Sequence, residues 1–101
     1  MSIKCIQSPV FGFWLSTLRD GKGKGLIVAR IDRLKEGLDG DTKQLGHGIS
    51  ELRIHYGPGY RIYFHRHGDT LILLLCGGRK ANQKRDFRRA RSQLKAWREN
   101  R

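Results

Sequence analysis

Apolar positions change period three times along this chain, from two to about 3.6, back to two, and finally to 3.6. The opening "IKCIQ" at 3–7 predicts a short strand. Ser8 and Pro9 end it and suit the N-cap and first position of a helix. Phe11, Trp14, Leu15 and Leu18 then share one helical face, predicting a short amphipathic helix over 9–19. "DGKGKG" at 20–25 reads as a break. Ile27, Ile31, Leu34 and Leu38 follow at steps of 4, 3 and 4, predicting a second helix over 26–37. Two such short, close helices are expected to form an antiparallel hairpin packed on another layer.

From residue 42 the period is two. "TKQLG" predicts a weak edge strand. "ISELRIHY", the turn "GPG" and "YRIYFHRH" predict a β-hairpin. "GD" at 68–69 turns the chain again. "TLILLLCGG" is apolar on both faces, so 70–76 is expected inside the sheet. Beyond it, Phe87, Ala90, Leu94 and Trp97 are spaced 3, 4 and 3, predicting a C-terminal helix over about 81–99. The order β-αα-βββ(β)-α predicts one α+β domain over 1–101. Its sheet has four or five strands, mostly antiparallel, with the helices on one face.

Pairing Tyr56 with Tyr60 across the turn would put His55 opposite Arg61, Ile54 opposite Ile62, and Arg53 opposite Tyr63. One face of the hairpin then carries Leu52, Ile54, Tyr56, Tyr60, Ile62 and Phe64 and is core. The other carries Glu51, Arg53, His55, Arg61, Tyr63 and His65. An ordinary solvated sheet face, with Glu51 offsetting two arginines, explains such a row. Two features point further. Ile72, Leu74 and Cys76 are expected beside these polar groups as an apolar floor. The basic segment that begins at Arg79 and Lys80, and reaches Gln83, would meet the same rim.

Charge strengthens that picture. The 101 residues carry a net charge of +12, and the last 23 hold ten Lys/Arg against two acids, or +8 of the total. Such a concentration favours a polyanionic partner: RNA, the ribosome, DNA or an acidic protein segment. No apolar run approaches the roughly 20 residues needed to span a bilayer. The N-terminus lacks the pattern of a secretory signal, so a cytoplasmic protein is expected. Cys5 and Cys76 both lie in apolar patterns and read as buried thiols rather than a disulfide. The four histidines lack zinc-ligand spacing, so neither metal nor cofactor is expected.

A concave basic surface with a histidine and tyrosines has the groups that RNA cleavage needs. The 2′-hydroxyl attacks the adjacent phosphate while the protein removes a proton, stabilises the added charge and protonates the leaving oxygen. Arginine forks suit the phosphorane, histidine suits proton transfer, and aromatic rings can stack a base. The residues alone leave two readings open. A basic RNA- or DNA-binding domain comes first and a ribonuclease second.

The run "FGFWLSTLRDGKGKGLIVARIDRLKEGLDGDTKQLGHGISELRIHYGPGYRIYF", followed by "LLLCGGRKANQKRDFRRA", resembles the addiction-module killer proteins. These are phage Gp49-like and HigB-like members of the RelE/ParE toxin superfamily. The resemblance covers about residues 3 to 97, through "GD.K.LG.GISELRI", "YGPGYRIYF" and "GG.K..Q..D". It implies a RelE-like sheet with two N-terminal helices and a C-terminal helix. The implied role is the toxin of a type II toxin–antitoxin pair: a ribosome-dependent, metal-independent mRNA endoribonuclease. ParE-like relatives poison DNA gyrase instead, and a non-catalytic nucleic-acid-binding prophage protein is a third reading. Carried over by position, the catalytic set is Arg53, His55, Arg61 and Lys80. RNA contacts fall to Tyr63, Arg79, Gln83, Lys84, Arg85 and Arg88. The tyrosine that some relatives carry in the C-terminal segment is replaced here by the neighbourhood of Asp86 and Phe87. The implied partners are a small helix-turn-helix, HigA-like antitoxin, the ribosome and mRNA, with operator DNA reached only through the antitoxin.

Overall fold

Ser8 ends the first strand and starts the first helix, as its side chain allows. Its Oγ accepts from the Phe11 amide at 3.0 Å and donates to the Leu75 carbonyl at 2.6 Å. From there the computed structural model describes residues 3–100 as five strands and three helices. They are β1 (Lys4–Gln7), α1 (Pro9–Thr17), α2 (Gly21–Lys35), β2 (Thr42–Gly46), β3 (Ile49–Ile54), β4 (Tyr60–His67), β5 (Leu71–Arg79) and α3 (Gln83–Glu99). A 3₁₀ turn over Lys80–Asn82 leads into α3. The strands form one mixed sheet in the order β1-β5-β4-β3-β2, with β1 parallel to β5 and the other pairs antiparallel. The protein is therefore α+β, and β5 lies inside the sheet as its two-sided apolarity requires.

The helices do not share one face, contrary to the sequence expectation. Phe11, Leu15, Ile27, Ile31 and Leu34 from α1 and α2 pack with Leu52, Ile54, Tyr60, Ile62, Phe64, Ile72 and Leu74. Ala90 and Leu94 of α3 pack with Ile49, Tyr63, Leu73, Leu75 and Cys76 on the opposite face. A strand apolar on both sides needs a cover on both sides, and α3 supplies the second.

The segment "DGKGKG" is not a break. Asp20 caps α2, its Oδ1 accepting from the Gly23 amide at 3.0 Å, so the helix starts five residues before the expected 26. Gly23 is buried, and a Cβ there would come within 2.6 Å of the Tyr60 ring. Tyr60 in turn donates its hydroxyl to Asp20 Oδ2 at 2.7 Å. This glycine serves close approach, which outweighs its poor helix propensity.

The hairpin register also differs. Ile54 pairs with Tyr60, Arg53 with Arg61, Leu52 with Ile62, and Glu51 with Tyr63. The turn therefore spans 55–59, and every partner is displaced by two residues. A slip of two preserves each residue's face, which is why the core face was identifiable while the partners were not. Ile72 and Leu74 belong to the core beneath α1 and α2 rather than to the polar face. A bulge in β5, where Tyr63 pairs with Cys76 and Phe64 with Leu74, turns both Leu75 and Cys76 toward α3. Beyond the bulge, Gly77 meets Trp14 of α1 and Gly78 meets Asp86 of α3, each too closely for a side chain.

Cys5 and Cys76 are free thiols on opposite faces. Burial first, and the Asp86 carboxylate second, push the Cys76 thiol up to about 12. Among the described residues, no helix is long and apolar enough to cross a membrane.

Candidate functional site

Strand alternation and the observed register line up Asp41, Arg53 and Arg61 across the α3 side of the sheet. Lys43, Glu51, Tyr63 and Cys76 form the next row. Two arginines thus stand directly opposite each other, an arrangement that is destabilising unless compensated. Glu51 compensates it. Only 2% exposed, its carboxylate accepts from Arg53 Nε at 3.0 Å and from Gln83 Nε2 at 3.2 Å. Arg61 Nε stands 4.0 Å from the same Oε1, an ion pair without a direct hydrogen bond. Arg61 is 4% exposed and donates through Nη1 to the Tyr60 carbonyl at 3.1 Å.

The turn then brings a third cation to this end of the sheet. Gly59, with φ +76°, accepts from the Lys80 amide at 2.7 Å. A side chain at 59 would start 3.3 Å from Lys80 Cβ and 3.5 Å from Arg61 Nη1. The missing side chain leaves a notch between the Arg61 guanidinium and the stem of the exposed Lys80. The half-buried Arg53 lies across from Arg61 on β3. Cations from two strands and from the turn after β5 thus converge where an anion could enter.

His55 stands apart. It lies beyond the end of β3, exposed, with Nε2 2.5 Å from Asp41 Oδ2. That hydrogen bond is the leading reason the Asp41 carboxyl lies below its ordinary value, with the charges of His55, Arg53 and Arg30 adding to it. The Arg53 amide donates to the Asp41 carbonyl at 2.9 Å, so this Asp–His pair adjoins the arginine row. A carboxylate that fixes one imidazole nitrogen leaves the other free to exchange a proton.

Tyr63 is 0% exposed, so no base can stack on it, and that expected role is withdrawn. Burial first and the Glu51 carboxylate second hold its phenol well above the ordinary value, excluding it as a base near neutral pH. Arg79 pairs with Tyr60 and so faces the α1/α2 side, away from Arg53 and Arg61. Gln83 joins the site through Glu51. Lys84, Arg85 and Arg88 lie along the exposed surface of α3, with Arg85 Nε 3.3 Å from Asp86 Oδ1. A cationic groove of about 570 Å³ runs along α3 between His47 and the stripe Arg88, Arg91, Lys95 and Arg98.

No family model matches the chain. A protein of Haemophilus influenzae, described only as uncharacterized, is 43% identical over 91 residues. The matched region covers 90% of this chain and 92% of that protein. The chain belongs to that protein's family.

Three acids central to this geometry had no functional assignment in the sequence reading. Glu51 was the one acid in an otherwise basic alternating row, which is the signal that it bridges the arginines. Asp41 precedes a weak edge strand to which the sequence assigned no pairing partner, so its contact with His55 had no local signal. Asp86 is 0% exposed against Gly78. The "GG" that admits it read only as a strand end. Among the described residues no group of three or more His, Cys, Asp and Glu could hold a metal ion.

Proposed function

We propose that this protein is the toxin of a type II toxin–antitoxin pair, a HigB-like member of the RelE/ParE superfamily that cuts mRNA on the ribosome. The observation that carries the reading is the convergence of Arg53, Arg61 and Lys80 at the Gly59 notch, beside the exposed His55–Asp41 pair. Cleavage through the RNA's own 2′-hydroxyl requires cations at the phosphate and a proton carrier nearby, and needs no protein nucleophile.

In this mechanism Arg53 and Lys80 hold the scissile phosphate, and the Arg61 guanidinium faces it from the floor of the notch. Glu51, between the two arginines, offsets their charge from the buried side. His55, oriented by Asp41, exchanges the proton of the 2′-hydroxyl or the leaving oxygen. The Arg88–Arg91–Lys95–Arg98 stripe docks on ribosomal RNA phosphates, with affinity that falls steeply as salt rises. A helix-turn-helix antitoxin is the expected partner that silences the toxin.

Induction of the wild type should arrest growth, and primer extension on a translated mRNA should map cuts at codons. Lys80→Ala should lower the cleavage rate by about 10²–10³-fold, the usual cost of one preorganised donor, with its thermal midpoint little changed. Arg53→Ala should lower the rate similarly but also lower the midpoint, because it strips the buried Glu51 of its 3.0 Å partner. Growth arrest with intact mRNA and an SOS response would instead identify a gyrase poison. Full cleavage by both folded variants would overturn the assignment of the notch.

A further inference from the structure

We infer that the cleft between β1 and α3 is a second binding surface, built for an extended, acidic segment of a partner protein. It lies apart from the Gly59 notch and does not depend on that reading, although Arg88 on its rim also belongs to the stripe proposed to dock on RNA. The apolar part is a slot of about 310 Å³ floored by Leu73 and Leu75 and walled by Ile6, Pro9, Ala96 and Trp97. A second groove, of about 410 Å³, shares Gln93 with it and is lined by Val10, Arg85, Arg88 and Arg89. Val10 and Phe13, three residues apart on α1, add an exposed apolar stripe, with Phe13 71% exposed.

Two features ask for a backbone partner. β1 is the outermost strand of the sheet, so one side of its backbone has no strand neighbour among the described residues. Gln93, where the slot meets the arginines, has its amide orientation fixed by its neighbours. Its Nε2 donates to the Leu75 carbonyl at 2.7 Å and to Ser8 Oγ at 3.4 Å, and Ser8 Oγ already donates its own proton to that carbonyl. Flipping the amide would set an oxygen against two acceptors. Gln93 Oε1 is therefore left buried without a hydrogen-bond donor among the described residues. An incoming N–H would supply one.

An added strand matches this combination. Its main chain pairs with β1, and alternate side chains enter the slot. Charge decides its composition. Arg85, Arg88 and Arg89 flank the groove, and the chain as a whole carries +12. A second copy of this chain would bring like charge to a basic rim. Nucleic acid would leave the apolar slot unfilled. Acidic side chains facing the arginines and small apolar ones facing the slot satisfy both parts.

The test uses the full chain and a short fluorescein-labelled peptide of alternating Glu and Val. Its anisotropy should saturate, and the amides of β1 and the Trp97 indole should shift in NMR spectra. Ala96→Trp, which plugs the slot from an exposed helix position, and Arg89→Glu should each weaken binding at least tenfold with unchanged circular dichroism. Replacing Val by Ser or Glu by Lys in the peptide should have the same effect. The inference is overturned if the peptide does not saturate, if both folded variants bind it unchanged, or if single-stranded RNA displaces it while shifting the same Trp97 signal. Concentration-dependent dimers abolished by Ala96→Trp would overturn it in favour of self-association.

Discussion

The two faces of this sheet are packed on different principles. Beneath α1 and α2 the buried side chains are aliphatic or aromatic, and the polar group that enters, the Tyr60 hydroxyl, is matched by Asp20. Beneath α3 the sheet buries Glu51, Arg61, His65 and Asp86 together with a smaller apolar cluster. Burying a charge costs several kcal/mol before any pairing is counted, and the pairing rarely returns a surplus. A protein of this size has little stability to spare. The first face stabilises the fold, and the second spends part of that stability to hold a basic site in place.

The largest effect should come from breaking the compensation on the polar face. Glu51→Leu leaves Arg61 buried opposite Arg53 with no anion between them, and should cost about 3–5 kcal/mol in urea unfolding. Adding Arg61→Met to that variant should recover most of the loss, since an apolar pair of similar volume avoids the desolvation penalty, while growth arrest stays abolished. If the double variant is no more stable than the single one, the polar face contributes to stability and the contrast between the faces fails. The burial of Arg61 has a practical consequence as well. Loss of activity in Arg61→Ala, and to a lesser degree in Arg53→Ala, would mix destabilisation with chemistry, so the exposed Lys80 is the cleaner probe of the notch.

On the dry face the comparable test is Tyr60→Phe. It removes a hydrogen bond to a carboxylate without changing shape and should cost about 1.5–3 kcal/mol, leaving cleavage intact. Loss of cleavage at unchanged stability would mean that the two faces are functionally coupled.

A smaller effect is read through pH, to which both faces contribute. Burial first and the Asp20 hydrogen bond second push the Tyr60 phenol from 10.0 up to about 12, while Cys76 on the other face rises from 9.0 to about 12. A group whose folded value is raised contributes stability that is fully present below its unfolded value and is lost as pH climbs toward the folded one. Stability should therefore decline from about pH 9 because of Cys76 and Cys5, and more steeply from about pH 10 because of Tyr60 and Tyr63. Cys76→Ala should make the decline between about pH 9 and 10 shallower, whatever it costs in packing, as read from urea midpoints across the series. An unchanged slope would show that the thiol does not stay protonated beneath α3.

Much of this contrast was legible in the sequence, for reasons that differ by residue. Period-two alternation separated Leu52, Ile54 and Ile62 from Glu51, Arg53 and Arg61, because a side chain's face depends on parity alone. Which residue faces which depends on turn length, and "HYGPG" gives a five-residue turn where "GPG" suggested three. The bulge at Leu75 and Cys76 broke parity in β5 and moved Ile72 and Leu74 to the dry face. The second cover of the sheet followed from "LILLLC" being apolar on both sides, a consequence missed because α3 reads as basic on most of its surface. Convergence of Lys80 with Arg61 depends on a glycine with positive φ, and "GPG" marks the turn without marking the notch.

The smallest effect on stability should accompany a large one on function, at His55. The ring is exposed and its Asp41 partner is largely so, and such a pair is screened by solvent and contributes little to folding. His55→Ala should leave the urea midpoint unchanged. If the ring carries a proton in cleavage, the variant should slow the reaction by about 10²-fold or more and remove one limb of its pH–rate profile. Asp41→Asn tests the pairing separately. An amide can still hold the ring, so the rate should fall less than in His55→Ala and the limb should remain. A positioning role alone would leave the limb where it is in both variants. An unchanged rate in His55→Ala would remove His55 from the proton transfer and leave the Asp41–His55 pair without a catalytic role.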